Sequence, residues 1–124
     1  MNYNISQNAG SGADIIKNIR IAVCGELPTA CDKLREAGVV HIDMYSDALD
    51  LAFDLRKGSV YHFILVYAPQ GEGLTDTSYP YKTNLEGKWI NVPVRLLNEP
   101  ACHSALTELV SAVHLVARQN SNIM

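Results

Sequence analysis

The sequence lacks most of the features that settle a protein's class at once. Its longest apolar stretch, Phe63–Ala68, is closed by Pro69 and falls far short of the ~20 residues that span a bilayer. No charged leader precedes an apolar segment, so no signal peptide is expected and the cytoplasm is the default location. Cysteine is sparse: Cys24, Cys31 and Cys102 show no C-x-x-C pairing, and an odd set suits reduced thiols better than a disulfide framework. Positive charge is also short. Ten Lys and Arg against thirteen Asp and Glu leave a net charge of −3, which removes the general electrostatic drive toward nucleic acid or an anionic membrane. Aromatic residues are few, with one Trp and two Phe in 124 residues. What remains is the composition of an ordinary globular domain, 48% apolar and 19% charged, of common single-domain length.

Residues 1–18 are rich in Asn, Ser and Gly and read as a flexible leader, with one turn expected near Asp14–Asn18. The polar residues 119–124 read as a frayed tail, which leaves 19–118 as a single α/β domain. Within it the punctuation is regular. Ile19–Cys24 is a short apolar run ending at Gly25, as in a strand buried on both faces. Pro28 suits a first helical turn, Leu27, Cys31, Leu34 and Ala37 recur at helical spacing, and Gly38 stands where a terminating glycine belongs. Val39–Tyr45 is a second strand candidate. Ser46 can cap a helix over Asp47–Lys57, whose Ala48, Leu51, Ala52 and Leu55 form a stripe before Gly58. His62–Ala68 is the strongest strand signal and Val92–Leu97 a fourth, with Pro93 near its start. Pro100 is expected to open a final helix whose Leu106, Leu109, Val110, Val113, Val116 and Ala117 share one face.

The order β-α-β-α-β, a long connection, then β-α predicts a small three-layer α/β sandwich. Its sheet would be mainly parallel with four to five strands, the four named ones in the order 2-1-3-4. The connection at 69–91 carries Gly71, Gly73, Pro80 and Gly87 and no helical period. A helix is missing from the place where the alternation wants one, and the direction of the fourth strand stays open.

Ligands of open α/β sheets bind outside the carboxyl ends of the strands. That rim would hold Cys24, Glu26, Asp47, Tyr67, Gln70, Glu72, Asn98 and Glu99. Its acidic character disfavours a bare phosphate and would admit Mg²⁺; the plainer identity is a set of solvated loop carboxylates. No resident cofactor is expected. Overlaid on a phosphate loop, Gly25–Asp32 has Ala30 for the second glycine, Cys31 for the lysine and Asp32 for the hydroxyl, so hydrolysis of a nucleotide by that route is excluded. Cys24 could be a thiolate at a helix N-terminus, yet no base accompanies it in sequence, and a buried strand-end cysteine is the simpler reading. Cys102-His103 are neighbours in sequence, which does not by itself align nucleophile with base. His41 and Asp43 share a strand face and His62 begins another strand, but two ligands without a third make no metal site. His114 borders the final helix's apolar face. Tyr79, Tyr81 and Trp89 either cover the sheet edge or face a partner. Lys82 and Lys88 beside them are too few for a nucleic-acid groove.

Three passages carry a resemblance. Ile19–Gly25 as first strand, Phe63–Gly71 as the strand and loop of a phosphoacceptor, and Leu96-Leu97-Asn98-Glu99-Pro100 before an amphipathic helix together resemble a response-regulator receiver domain. The likeness covers most of the chain and implies a flavodoxin-like fold. It implies equally that phosphorylation is lost: Tyr67 stands at the acceptor position, Glu26 alone remains of the acidic pair, and Glu99 replaces the lysine before proline. A small-GTPase likeness, with Asn98-Glu99-Pro100 in place of a base-reading motif, is of similar quality, and the chain is short for it. Both imply a switch-type scaffold without its chemistry. The expected function is a cytoplasmic, non-catalytic regulatory or protein-interaction module that self-associates, binding neither nucleic acid nor membrane. The alternative is a small enzyme or ligand-binding protein using the rim with Mg²⁺ or Cys24.

Overall fold

The structure, a computed structural model, describes residues 15–69, 74–76 and 81–122. Strand β1 (Arg20–Cys24) is followed by helix α1 (Pro28–Glu36), strand β2 (His41–Tyr45), helix α2 (Ala48–Lys57) and strand β3 (Phe63–Tyr67). Four more strands follow, β4 (Leu74–Asp76), β5 (Lys82–Leu85), β6 (Lys88–Asn91) and β7 (Val94–Leu97), before helix α3 (His103–Asn122). The main sheet has the order β2-β1-β3-β7-β4. Its first four strands are parallel, so the direction left open for the last strand is resolved: Ile64 pairs with Val94 and Val66 with Leu96 in parallel register. Strand β4 adds an antiparallel edge, and β5 and β6 form a separate hairpin.

Alternation along the central strands divides the core in two, because successive side chains point to opposite faces. Ile21 and Val23 of β1, with Phe63 and Leu65 of β3, meet Leu27, Ala30 and Leu34 at α1 and Leu109 and Val113 of α3. Ala22 and Cys24, with Ile64 and Val94, meet Leu51 and Leu55 of α2 and Tyr61. Each fully buried Leu, Ile or Phe contributes roughly 1.5–3 kcal/mol of transfer free energy, so these stripes fix which way every strand faces. Among the described residues, no helix is long and apolar enough to cross a membrane.

Several expectations are corrected. The connection at 69–91 is not wholly irregular, since it contains β4 and the β5–β6 hairpin. The hairpin turns at Glu86-Gly87, both at positive φ, as a two-residue turn matched to strand twist requires. Asn84 Oδ1 accepts from the Gly87 N–H at 2.9 Å. Strand β5 packs against α2, so the hairpin covers the part of the sheet where a further helix was missed. The packed domain also begins earlier than residue 19: Ile16 is fully buried and Ile15 packs beside it. Helix α3 starts at His103 rather than Pro100 and runs through the expected tail to Asn122. Helix α2 is capped by Asp47, not Ser46.

Candidate functional site

The carboxyl ends of β2, β1, β3 and β7 hold the described part of the expected rim, and several of its groups have a structural task. Helix α1 has Leu27 at its N-cap, a residue with no side-chain acceptor. Glu99 supplies it from after β7: Oε2 accepts the Thr29 N–H at 2.6 Å, a negative charge at the positive end of the helix. The other oxygen, Oε1, is buried without a hydrogen-bond partner among the described residues. Asp47 caps α2, accepting from the Leu49 N–H at 2.7 Å. Tyr67 closes over Gly25, which has φ +99° and whose missing Cβ would stand 2.6 Å from the Tyr67 Cβ, so only glycine fits there. Cys24 is buried, and burial, with the charge of Asp47 second, pushes its thiol up to about 11. It is therefore protonated at neutral pH and a poor nucleophile. Glu26 is exposed, Asn98 is half-buried, and Gln70 and Glu72 lie outside the described residues. Among the described residues, no three His, Cys, Asp or Glu side chains gather as a metal site would need.

A second polar constellation, assembled from residues far apart in the chain, lies on the α2 face of the sheet. Asp43 of β2 accepts from Arg20 Nη2 at 3.1 Å and from the Tyr61 hydroxyl at 2.6 Å. The Tyr45 hydroxyl donates to Asp54 of α2 at 2.7 Å, and the two tyrosine oxygens are themselves 2.7 Å apart. The rings meet edge to face at 6.1 Å, and the Arg20 guanidinium lies 5.1 Å from the Tyr61 ring centre. The Tyr61 hydrogen bond, with help from Arg20 and against the effect of burial, holds the Asp43 carboxyl below its usual range. Burial and then the bond to Asp43 push the Tyr61 hydroxyl up. These groups tie β1, β2, α2 and the start of β3 to one another. His41, paired in expectation with Asp43, is exposed on β2.

The remaining candidates are dispersed. His62 Nδ1 accepts from the Arg20 N–H at 2.9 Å, and burial with the nearby Arg20 charge lowers its pKa. A cavity of about 710 Å³ opens beside it at the amino ends of the strands, with Ile19, Leu85, Ile90 and Ala117 among its walls. Cys102 is exposed with Sγ 3.4 Å from Ser104 Oγ, a bond that lowers the thiol's pKa. His114 is half-buried on α3.

Large apolar side chains meet water at Val40 and Met44 near β2, at Leu115 of α3, and as a group on the outer surface of α2 and the hairpin. Leu49 and Phe53, one helical turn apart, are 61% and 50% exposed, and Trp89 of β6 is 50% exposed. Ala52 and Arg56, on the flank of α2 nearer the hairpin, share a pocket with Tyr81, Lys82 and Trp89. Two of the three aromatic residues expected to face a partner, Tyr81 and Trp89, thus belong to one surface; Tyr79 lies outside the described residues. Sequence reasoning missed Leu49, Phe53 and Arg56. The signal was present, since Leu49 and Phe53 make a second apolar row at i, i+4 beside the core row of Leu51 and Leu55.

Comparisons with protein-family models, with curated proteins and with solved structures find nothing that matches this chain.

Proposed function

We propose that the chain is a non-catalytic regulatory or protein-interaction module on a flavodoxin-like, receiver-like scaffold, located in the cytoplasm, and that it self-associates. The observation that carries this reading is the exposed apolar surface of α2 and the hairpin, formed by Leu49, Phe53 and Trp89. Bulky side chains held in water on rigid elements are the usual mark of a contact surface, and tryptophan is prominent among the residues that anchor interfaces. The rim supports the same reading. Glu99 and Asp47 are spent on capping helices, Tyr67 covers Gly25, and the Cys24 thiol is held protonated. The competing enzyme reading, with Mg²⁺ or Cys24 at that rim, draws less support from these assignments.

Sedimentation velocity over a concentration series tests the proposal. The wild-type chain is expected to sediment faster as concentration rises, and Phe53→Asp to remain a monomer while keeping its helical circular dichroism. A wild-type chain that stays monomeric to near-millimolar concentration and retains no protein in a pull-down would overturn it.

A further inference from the structure

Between α2 and the hairpin lies a pocket of about 330 Å³, walled by Ala52, Leu55, Arg56, Tyr81, Lys82 and Trp89. We infer that this pocket receives an acidic segment of a partner polypeptide, one carboxylate lying between Arg56 and Lys82 and a neighbouring apolar side chain covering Trp89. The inference rests on reading this face as a contact surface, and adds the chemistry of what it contacts.

Charge is the first argument. The chain as a whole is acidic, yet among the described residues the charged groups that wall this pocket are both cations. Arg20 pairs with Asp43, Lys33 with Glu36 and Arg35 with Asp32, whereas among the described residues Arg56 and Lys82 have no carboxylate partner. The acidic groups of α2 are turned elsewhere. Asp54 receives the Tyr45 hydroxyl on the flank toward β2, and Asp50 stands one helical turn from it on that same flank. Glu86, at the hairpin turn, lines the separate cavity with Leu85 and Ile90. Positive charge is thus concentrated where α2 ends and β5 begins, two places 26 residues apart in sequence.

The pocket also mixes charged and apolar surface. Ala52, Leu55 and the aromatic rings give the pocket apolar walls, which a free inorganic anion leaves unfilled. Two cations and one exposed indole are too few to track a nucleic-acid backbone, whose binding strength comes from neutralising many phosphates. They also fall short of the four to eight basic residues, as a rough rule, that mark an anionic-lipid site. A carboxylate flanked by an apolar side chain matches both halves of the site.

Trp89 is the only tryptophan of the chain, so its fluorescence, read at a dilution where the chain is monomeric, reports on this pocket. The probe is a capped pentapeptide, Glu-Leu-Glu-Phe-Glu, titrated into the full chain with excitation where tyrosine does not absorb. A saturable blue shift is expected, weakened by added salt, and absent with the Gln-for-Glu and Lys-for-Glu peptides. Arg56→Ala combined with Lys82→Ala is expected to weaken binding about tenfold, equivalent to losing the two exposed charge contacts. No saturable change, an equal response to the Gln peptide, or a stronger response to a single-stranded oligonucleotide or to phosphatidylserine vesicles overturns the inference. The peptide-charge comparison uses only the wild-type chain, so it stands even if the variant misfolds. If Phe53→Asp abolishes self-association while the acidic peptide fails to bind, the inference falls and the contact-surface reading survives.

Discussion

The two phenylalanines of this chain lie on opposite sides of one sheet and meet opposite surroundings. Phe63, on β3, is fully buried beneath α1 and α3, whereas Phe53, on α2, is half in water. The first face is closed by two helices whose apolar stripes interlock over the central strands. The second is closed by one helix and a hairpin, and a hairpin is thinner and more polar than the helix it replaces. Here its turn residues and Lys82, Lys88 and Asn91 remain exposed, and Trp89 stays half in water. The difference assigns one face to stability and leaves the other free to make contacts.

Substitutions should break that comparison unevenly. Phe63→Ala is expected to cost about 3–5 kcal/mol in urea unfolding, because it opens a cavity in a packed interior. Phe53→Ala should change stability by no more than about 0.5 kcal/mol, as surface substitutions do. Equal losses at the two positions would show that α2 buries its outer face after all. An effect below that of Phe63→Ala is expected at Thr83, the buried hydroxyl that fastens the hairpin to the domain. Its Oγ1 donates to the Ser59 carbonyl at 3.1 Å and accepts from the Tyr61 N–H at 3.3 Å. Thr83→Val should cost about 1–3 kcal/mol by leaving both groups unpaired. Amide exchange should quicken in β5 and β6 more than in β1, and uniform quickening would mean the hairpin is no separate unit.

The smallest effect is one of pH. His62 titrates below its ordinary value in the folded chain, so between about 6.5 and that lower value the unfolded chain binds more protons than the folded one. Stability therefore falls as pH drops through this window and is unaffected by His62 above it. His62→Gln should flatten the slope of urea midpoint against pH there. A slope unchanged by the substitution would assign the dependence to another group.

The first face and the helix of the second were legible in the sequence, and the hairpin was not. Gly25, Pro28 and Gly58 punctuate elements whose apolar spacing is regular, and the stripe of α3 repeats for several turns, so periodicity alone finds them. Ile15 and Ile16 escaped because they stand in a polar neighbourhood and take their burial from distant α3. The hairpin escaped because its strands are four residues each and its turn is Glu86-Gly87 rather than the more recognisable Asn-Gly. The rim was legible as a list of residues but not as a set of tasks: that Glu99 would cap a helix 70 residues away depends on the parallel register of β1, β3 and β7. The pairing of Arg56 with Lys82 is hidden for the same reason, since only the packing of β5 on α2 makes them neighbours.

The central claim is that contacts are made by the α2 and hairpin face and not by the carboxyl rim. Amide chemical-shift mapping of isotopically labelled chain, recorded from dilute to concentrated solution, tests it residue by residue. Shifts that grow with concentration at Leu49, Phe53, Arg56, Lys82 and Trp89 while Gly25, Glu26 and Asn98 stay still are the predicted result. Shifts centred on the rim, with Trp89 and Phe53 unmoved, would contradict it.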